Sequence, residues 1–277
     1  MLSGGAKVGI GAAAGALSLL LALSQANAQD RSELFGFAGT PWQAGGFLFV
    51  TPKFEGSKSY DVLGFPFVAP AGFGQGGASV IDIRGADDVR FRLVERGGFE
   101  AGPLAGYRFG RDQDDAARLA GLGDIDGGLV LGAYAGYRAG PWFFSASYHH
   151  QVTGDEDTGG LLRLAIDHTW RLSAHATLVT SLGTAYASSQ YMQTYFGVSA
   201  AQAATSVAHL PQFDPSAGFK DVSLSATATV ELDPRWTLYL TGRYTRLIGD
   251  AADSPVIETE NGFFGGAGLS YKFDWGR

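Results

Sequence analysis

Residues Leu161–Leu172, LLRLAIDHTWRL, switch between apolar and polar side chains at almost every step. Successive side chains of a β-strand point to opposite faces, so one face of this segment is apolar and the other is charged. A strand of this kind is typical of a membrane-spanning β-barrel, which has lipid outside and a wet lumen inside. The first face consists of Leu162, Leu164, Ile166, His168, Trp170 and Leu172, and the second includes Arg163, Asp167, Thr169 and Arg171.

The same alternation recurs in Phe99–Phe109, Asp221–Leu232 and Trp236–Thr245. It predicts an all-β fold, a transmembrane antiparallel β-barrel of about twelve strands, closed so that every backbone N–H and C=O has a partner. The third and fourth strands have the weakest pattern, so a barrel of about ten strands is the alternative. The predicted strands are Gln43–Phe54, Tyr60–Ala69, Ala78–Arg84, Asp88–Val94, Phe99–Gly110, Gly127–Ala139, Pro141–Val152, Gly160–Leu172, His175–Gln190, Gly218–Leu232, Trp236–Ile248 and Gly262–Phe273.

The connections between these strands alternate in length along much of the chain. If both chain ends lie in the periplasm, every second connection faces the periplasm, where barrel turns are short. Three connections that fit this side are Ala139–Gly140, Ser173–Ala174 and Asp233–Arg235. The connections that then face outward include the long segments Arg111–Asp126, Tyr191–Ala217 and Gly249–Asn261.

Aromatic side chains lie near the predicted strand ends, as they do in the girdles that barrels place at the two lipid surfaces. Core filling in a soluble β-sandwich is the alternative explanation. The rings assigned to the girdles are Tyr107, Trp142, Phe143, Trp170, Tyr186, Trp236, Tyr244, Tyr271 and Phe273.

The N-terminus has the parts of a secretory signal peptide. Lys7 precedes an apolar stretch, Val8–Leu23, and Ala26-Asn27-Ala28 forms a cleavage site. We therefore expect residues 1–28 to be a cleaved signal peptide and residues 29–277 to form one barrel domain. A membrane anchor is the alternative, but no later apolar run reaches the roughly 20 residues of a spanning helix.

Composition excludes several classes of function. The 277-residue chain has no cysteine, which excludes a thiol nucleophile, a disulfide framework and a thiolate metal site. Its formal charge of −7 disfavours nucleic acid as a partner, because phosphates would be repelled. The 41 glycines and 13% aromatic residues suit a fold of many strands and tight turns.

On the seventh predicted strand, Pro141–Val152, Ser147 and His149 share one face, so a serine–histidine catalytic pair is geometrically possible. No glycine elbow or oxyanion motif accompanies them, so a hydrogen-bonded lumen histidine is the favoured interpretation. His150 points to the other face, which disfavours a two-histidine metal site. We expect no enzyme activity and assign no catalytic, cofactor-binding or metal-binding residue.

The outward connections are acidic, and their carboxylates suggest a second hypothesis. Divalent cations could link such groups to the phosphates of lipopolysaccharide, although a solvated loop is the more ordinary explanation. The residues concerned are Asp112, Asp114, Asp115, Asp124, Asp126, Asp155, Glu156, Asp157, Asp250 and Asp253.

The lumen face carries both signs of charge and several bulky side chains. Because about twelve strands enclose only a modest space, we expect charge pairs to leave a small or blocked pore. The predicted lumen residues are Glu100, Arg108, Tyr134, Arg138, Arg163, Asp167, Arg171, Glu231, Tyr239, Arg243 and Lys272.

Several segments, taken in order, resemble the MipA/OmpV family of outer-membrane proteins. One departure is the C-terminus, where Phe273 is followed by Asp274–Arg277, so that Phe273 or Trp275 would have to serve as the aromatic assembly signal. The similar segments are Pro52–Ser57 (PKFEGS), Gly102–Asp112 (GPLAGYRFGRD), Gly121–Asp126 (GLGDID), Tyr195–Ser199 (YFGVS) with Gln202–Ala204 (QAA), Leu247–Pro255 (LIGDAADSP) and Gly268–Phe273 (GLSYKF).

The resemblance implies a non-enzymatic scaffold of the Gram-negative outer membrane. Its partners would be membrane lipid and lipopolysaccharide and, for peptidoglycan remodelling, a periplasmic lytic transglycosylase and a penicillin-binding murein synthase. A partner would bind rim residues such as Ala69–Gly77 or Glu95–Gly98. The alternatives are a narrow solute channel and a surface adhesin that acts through Tyr191–Ala217. The apolar residues of that connection would either bind partners or fold back as a plug; they include Met192, Tyr195, Phe196 and Val198.

Overall fold

The structure is a computed structural model that describes residues 41–71, 80–155 and 158–274. The expected signal peptide, Glu156, Asp157 and Trp275 lie outside these residues. Within them, none of the helices has both the length and the apolar character required to cross a membrane.

Thirteen strands account for the predicted twelve, because the fourth predicted strand is divided in two. The division occurs where the amide of Arg92 donates to Val80 O on one neighbour and that of Leu93 donates to Ala101 O on the other. The strands are β1 (Trp42–Pro52), β2 (Tyr60–Pro70), β3 (Ile81–Gly85), β4 (Asp88–Phe91), β5 (Val94–Arg96), β6 (Phe99–Arg108), β7 (Gly128–Ala139), β8 (Trp142–Gln151), β9 (Gly160–Arg171), β10 (Ala176–Ala187), β11 (Gly218–Glu231), β12 (Trp236–Leu247) and β13 (Asn261–Phe273).

All neighbouring strands in this sheet are antiparallel, and the chain ends meet. β1 pairs with β13 from Trp42↔Phe273 to Val50↔Gly265, as expected for a barrel. The sheet then runs from β2 and β1 through β13 down to β6, β4 and β3, with β5 beside β6. Among the described residues, no pairing joins β2 to β3, which are the two ends of this order.

The sheet is curled around an interior. Arg84 on β3 reaches Asp167 on β9, with 2.6 Å between Nη1 and Oδ2, although several strands separate them in the sheet. The alternation predicted for β9 is confirmed: Leu162 and Ile166 are each 40% exposed on the outer face, whereas Asp167 is 4% exposed inside. The chain therefore forms the predicted transmembrane-type β-barrel architecture, with an apolar exterior and a charged interior.

The short and long connections lie at opposite ends of the strands. Gly97, Gly98 and Gly140 have positive φ in tight turns between antiparallel neighbours, a conformation that glycine adopts without strain. We call this the short-turn end. The other end, the loop end, carries the connections 53–59, 109–127, 152–159, 188–217 and 248–260.

Pairs of rings surround the outer surface at both ends. Trp236 and Tyr271 lie 4.9 Å apart, centroid to centroid, at the short-turn end, and Tyr244 and Phe263 lie 5.2 Å apart toward the loop end. The prediction for Phe143 was wrong. This ring lies inside, only 2% exposed, with the guanidinium groups of Arg84 and Arg138 over it.

One predicted strand end needs correction at the loop end. The ninth predicted strand was extended to Gln190, but β10 ends at Ala187 because Ser188 caps a helix, α1 (Ser189–Phe196). The first two residues of the third predicted strand, Ala78 and Ser79, lie outside the described residues, and β3 begins at Ile81. A second helix, α2 (Ala200–Thr205), follows α1 within the connection that was expected to be a loop.

Candidate functional site

The connections at the loop end fold into a compact layer, which we call the loop cap: residues 53–59, 109–127, 188–217 and 248–260. Its helices have clear local causes. The Ser188 hydroxyl accepts a hydrogen bond from the amide of Tyr191 at the start of α1. At the start of α2, Ser199 and Gln202 form a capping box in which each side chain accepts from the other's backbone N–H.

Two apolar clusters hold the loop cap together. In the first, Tyr191, Met192 and Phe196 of α1 are 0–2% exposed and pack with residues from the strand ends and the last connection. The second draws on four different connections and comprises Phe54, Leu119, Leu122, Val198, Leu210 and Val256. Burial of each such side chain contributes about 1.5–3 kcal/mol, so the loop cap has a hydrophobic core of its own.

This packing bears on the two roles predicted for the apolar residues of the connection 191–217. Met192, Phe196 and Val198 are buried, and Tyr195 is half-buried against the first cluster, so none of them forms an exposed adhesive surface. The connection folds back over the barrel end, as in the plug alternative.

Polar contacts tie the segments of the loop cap to one another. The Gln202 amide donates to Leu122 O at 2.8 Å, and the Ser254 hydroxyl donates to Phe196 O at 2.6 Å. Asp250 accepts from the amide of Ser216 at 2.7 Å. The segment 247–255, whose role the sequence leaves open, therefore anchors the connection that carries α1 and α2.

An ionic group built on the buried Lys220 and Asp221 joins the loop cap to the barrel wall. A register shift between β10 and β11 turns both Lys220 and Asp221 inward. The Lys220 ammonium contacts Asp221 Oδ2 at 2.6 Å and both Glu55 oxygens at 3.0 Å, and the Tyr191 hydroxyl donates to Glu55 at 3.1 Å. Arg108 lies over the Tyr191 ring at 5.2 Å.

Charge and burial keep these groups in fixed states. Burial, and after it the Glu55 carboxylate, raises the pKa of Tyr191, so its hydroxyl stays neutral and remains a donor. Burial lowers the pKa of Arg111 to about 10, which leaves the guanidinium charged at neutral pH. Arg111 donates to Tyr195 O at 2.9 Å and fixes the end of α1.

Several acidic side chains of the outward connections accept hydrogen bonds from backbone amides. Asp115 accepts from the amide of Asp112 at 3.0 Å, Asp124 from that of Gln113 at 2.8 Å, and Asp155 from that of Asp126 at 2.8 Å. In the part of the chain that the structure describes, no group of three or more acidic or histidine side chains is arranged to hold a metal ion. The cation hypothesis gains no support from this arrangement.

The turn between β3 and β4 inserts charge into the interior. Asp87 accepts two hydrogen bonds from Arg163, at 2.7 and 2.9 Å, and lies 3.5 Å from Arg108. Asp88 accepts from Arg90 at 2.8 and 2.9 Å. Gly106 on β6 leaves room for this turn, because a Cβ there would overlap the backbone of Ala86 and Asp87.

The predicted lumen residues fall into three groups. Glu100, Arg108 and Asp167 are buried, and Arg163 is held by Asp87. Glu231 and Lys272 form an ion pair of 3.7 Å at the short-turn end. Arg138 lies 3.9 Å from Glu100, whereas Arg171 and Arg243 are exposed. Sequence reasoning missed the charges of β3 and β4, although they alternate in the sequence; they are Asp82, Arg84, Asp88 and Arg90.

The structure brings Ser147 and His149 together, as their shared face predicts. The carbonyl of Asp87 can only accept, so His149 Nδ1 donates to it at 3.1 Å, and Nε2 accepts from the Ser147 hydroxyl at 2.9 Å. This is the tautomer that a serine–histidine pair needs. However, Ser147 and His149 are 2% and 0% exposed, and Arg90 also donates to Ser147 Oγ at 3.3 Å. The pair holds the β3–β4 turn, and its burial leaves no access for a substrate.

The lipid-facing side carries a shallow furrow of about 890 Å³. It is lined mainly by outward, apolar side chains of β7 to β11, among them Tyr137, Phe144, Ile166, Leu182 and Val222. Because this is the face that barrels turn to lipid, the furrow belongs to the lipid-covered surface.

Comparison with known proteins places these features in a family. Residues 44–273 match the family model described as MltA-interacting protein MipA. The chain is 29% identical over 170 residues to outer membrane protein Omp26La of Vibrio anguillarum and to outer membrane protein OmpV of Vibrio cholerae. The aligned part is 61% of this chain and spans 64% of the length of each of these relatives.

A solved structure of similar form is an outer membrane channel from Pseudomonas putida F1. It is 10% identical with a TM-score of 0.42, and the match covers 84% of this chain and 96% of that one. The family match contains every segment from Pro52 to Phe273 on which the resemblance was based. This chain is an outer-membrane β-barrel protein, and it belongs to the family of the MltA-interacting protein MipA.

Proposed function

We propose that this protein is a non-enzymatic scaffold that binds a lytic transglycosylase and a murein synthase at the short-turn end of its barrel. The observation that carries the proposal is the division between the ends: the long connections are packed into the loop cap, and the short-turn end keeps exposed apolar and charged side chains. The family description, MltA-interacting protein, supports a transglycosylase as the partner. Short turns belong on the periplasmic side, where peptidoglycan enzymes work.

One part of the short-turn end offers a surface suited to a partner. Leu93 and Val94 are 72% and 50% exposed, and the neighbouring Glu95 and Arg96 are also exposed. Of the two rim segments predicted as contacts, Glu95–Gly98 belongs to this surface. In the other segment, Ala69 and Pro70 are buried and residues 72–77 lie outside the described residues. We therefore assign partner binding to residues 93–98.

The proposal includes no chemical step by this chain. The serine–histidine pair is buried, and the charges of Asp87, Asp88, Arg90 and Arg163 are engaged in ion pairs that hold the β3–β4 turn. A narrow solute channel is disfavoured because the loop cap covers the loop end of the barrel. A scaffold needs only a rigid frame and an exposed face, and the barrel with its packed cap supplies both.

The test is binding of the purified full chain, in lipid nanodiscs, to a soluble lytic transglycosylase. We expect Glu95→Lys at the short-turn end to weaken binding about tenfold, because a charge reversal costs roughly 1.4 kcal/mol at a polar interface. Asp253→Lys reverses an exposed charge at the loop end and should leave binding unchanged. Absence of binding by the unaltered protein, or equal effects of the two substitutions, would overturn the proposal.

A further inference from the structure

A second interior feature lies on strands β12, β13, β1 and β2, away from the buried charge network of β3, β4 and β9. Six inward-facing rings form a continuous series that we call the aromatic stripe. Phe47 stacks on Phe49 at 5.6 Å and on Phe67 at 5.2 Å, and Phe49 stacks on Phe264 at 5.4 Å, centroid to centroid. The stripe consists of Phe47, Phe49, Phe65, Phe67, Tyr239 and Phe264.

Glycines in the sheet allow these rings to lie flat. A Cβ at Gly268 would overlap the Phe47 ring, one at Gly266 would overlap the Phe49 ring, and one at Gly45 would lie 2.9 Å from Phe67 Cε1. Each ring therefore lies directly over the backbone of the sheet. Glycine in the interior of a strand lowers its stability. The glycines that make room for the rings therefore reduce the local stability of the sheet.

Most charged groups inside the barrel are paired, but Arg243 is not. Its side chain faces the interior on β12 and is accessible from the lumen, and no described carboxylate lies within ion-pair distance of it, although the charges of Arg163, Asp87 and Asp221 act on it at longer range. Its register neighbours are Phe264 on β13 and Ser225 on β11. On the same inner face, the hydroxyls of Thr227 and Thr241 lie 3.0 Å apart. A free guanidinium thus lies beside the aromatic stripe and next to a hydroxyl-lined wall.

We propose that Arg243 and the aromatic stripe form an interior binding site for a small aryl carboxylate. The carboxylate would accept two parallel hydrogen bonds from the guanidinium, the geometry in which arginine binds this group most strongly. The ring of the ligand would stack on Phe264 and Phe49, and the hydroxyls of Ser225 and Thr241 would bind further polar groups. Arg243 disfavours a cationic ligand, and the exposure of its charge disfavours a neutral apolar one. This site is independent of partner binding at residues 93–98.

The test is calorimetric binding of 2-naphthoate to the full chain in lipid nanodiscs, with empty nanodiscs as the partition control. We expect saturable binding by the barrel, and binding of the neutral isostere 2-naphthalenemethanol at least about tenfold weaker. Arg243→Gln should weaken naphthoate binding by a similar factor. Arg246→Gln is the matched control, because Arg246 lies three residues along the same strand, on the opposite face, and pairs with Glu260 at 2.6 Å.

A second variant separates stacking from charge. Phe49→Leu keeps an apolar side chain but removes a flat ring. It should weaken the binding of naphthoate more than the binding of cyclohexanecarboxylate, which has no aromatic ring to stack. Heat-modifiable migration in detergent gels verifies that each variant is folded. Equal affinity for the acid and the alcohol, or unchanged binding by Arg243→Gln, would overturn the proposal.

Discussion

At the loop end, Tyr191, Met192 and Phe196 are 0–2% exposed, whereas at the short-turn end Leu93 and Leu172 are 72% and 63% exposed. The contrast is the reverse of what connection length alone would suggest. Long connections are usually the mobile and exposed parts of a barrel, but here they are long enough to build a hydrophobic core from several chain segments. The tight turns at the other end have too few residues to bury anything. The length of the connections therefore allows the loop end to close, and the brevity of the turns leaves apolar side chains exposed at the short-turn end.

The largest expected effect comes from removing the packed side chains of the loop cap. Replacing residues 189–206 with the same number of glycine and serine residues keeps the connection but deletes α1 and α2. We expect a barrel that still folds but now conducts ions, because nothing apolar holds the cover over the lumen. Planar-bilayer recordings should show stable openings that the unaltered protein lacks. Equal conductance for the two proteins would mean that the loop cap does not block the lumen.

The difference between the two ends of the barrel also determines which features could be predicted from the sequence. The strands β7 to β13 were predicted within about three residues because alternation and tight turns are local properties. For β9, the predicted Gly160–Leu172 became Gly160–Arg171. The positions of the short turns could therefore be predicted from the sequence.

The loop cap and the ionic group beneath it were not predictable in this way. Glu55 and Lys220 are 165 residues apart in the chain, and a register shift that alternation does not encode turns Lys220 inward. Phe143 was placed on the wrong face because it lies between Trp142 and Phe144, and three consecutive rings do not reveal which of them points inward. The helix α2, in contrast, had a local signal in the capping residues Ser199 and Gln202.

Substitutions at the two ends should differ in how much they lower the free energy of unfolding. Phe196→Ala removes a fully buried ring from the loop cap and should lower the free energy of unfolding by about 3–5 kcal/mol. Leu172→Ala, at the exposed outer surface near the short-turn end, should cost less than about 1 kcal/mol. Urea unfolding from lipid vesicles, followed by tryptophan fluorescence, measures both. Similar losses for the two variants would show that the loop cap adds no independent core.

The ionic group beneath the loop cap should have the next largest effect. Lys220→Met keeps a similar volume but leaves Asp221, and in part Glu55, without a cation, at a cost of about 3 kcal/mol. The control is Lys58→Glu, which reverses the charge of an exposed residue at the same end and should cost less than about 0.5 kcal/mol. Limited proteolysis within 188–217 reports whether the loop cap loosens. Unchanged cleavage and stability in Lys220→Met would show that α1 is held by apolar packing alone.

The smallest effect concerns the outer surface of the loop cap, where carboxylates crowd together without a matching feature at the short-turn end. Burial, and then repulsion from Asp115 and Asp124, raises the pKa of Asp112. A carboxyl whose pKa is higher in the folded state binds its proton more tightly there, so the folded state gains stability as pH falls from neutral through that raised value. The gain is complete below the unfolded pKa of about 3.9.

Asp112→Asn removes the repulsion, and the variant should unfold at a higher urea concentration than the unaltered protein at pH 7. That difference should disappear near about pH 3, where Asp112 is protonated in both states. A variant that is less stable at pH 7 would show that the charge of Asp112 supports the loop cap instead of straining it.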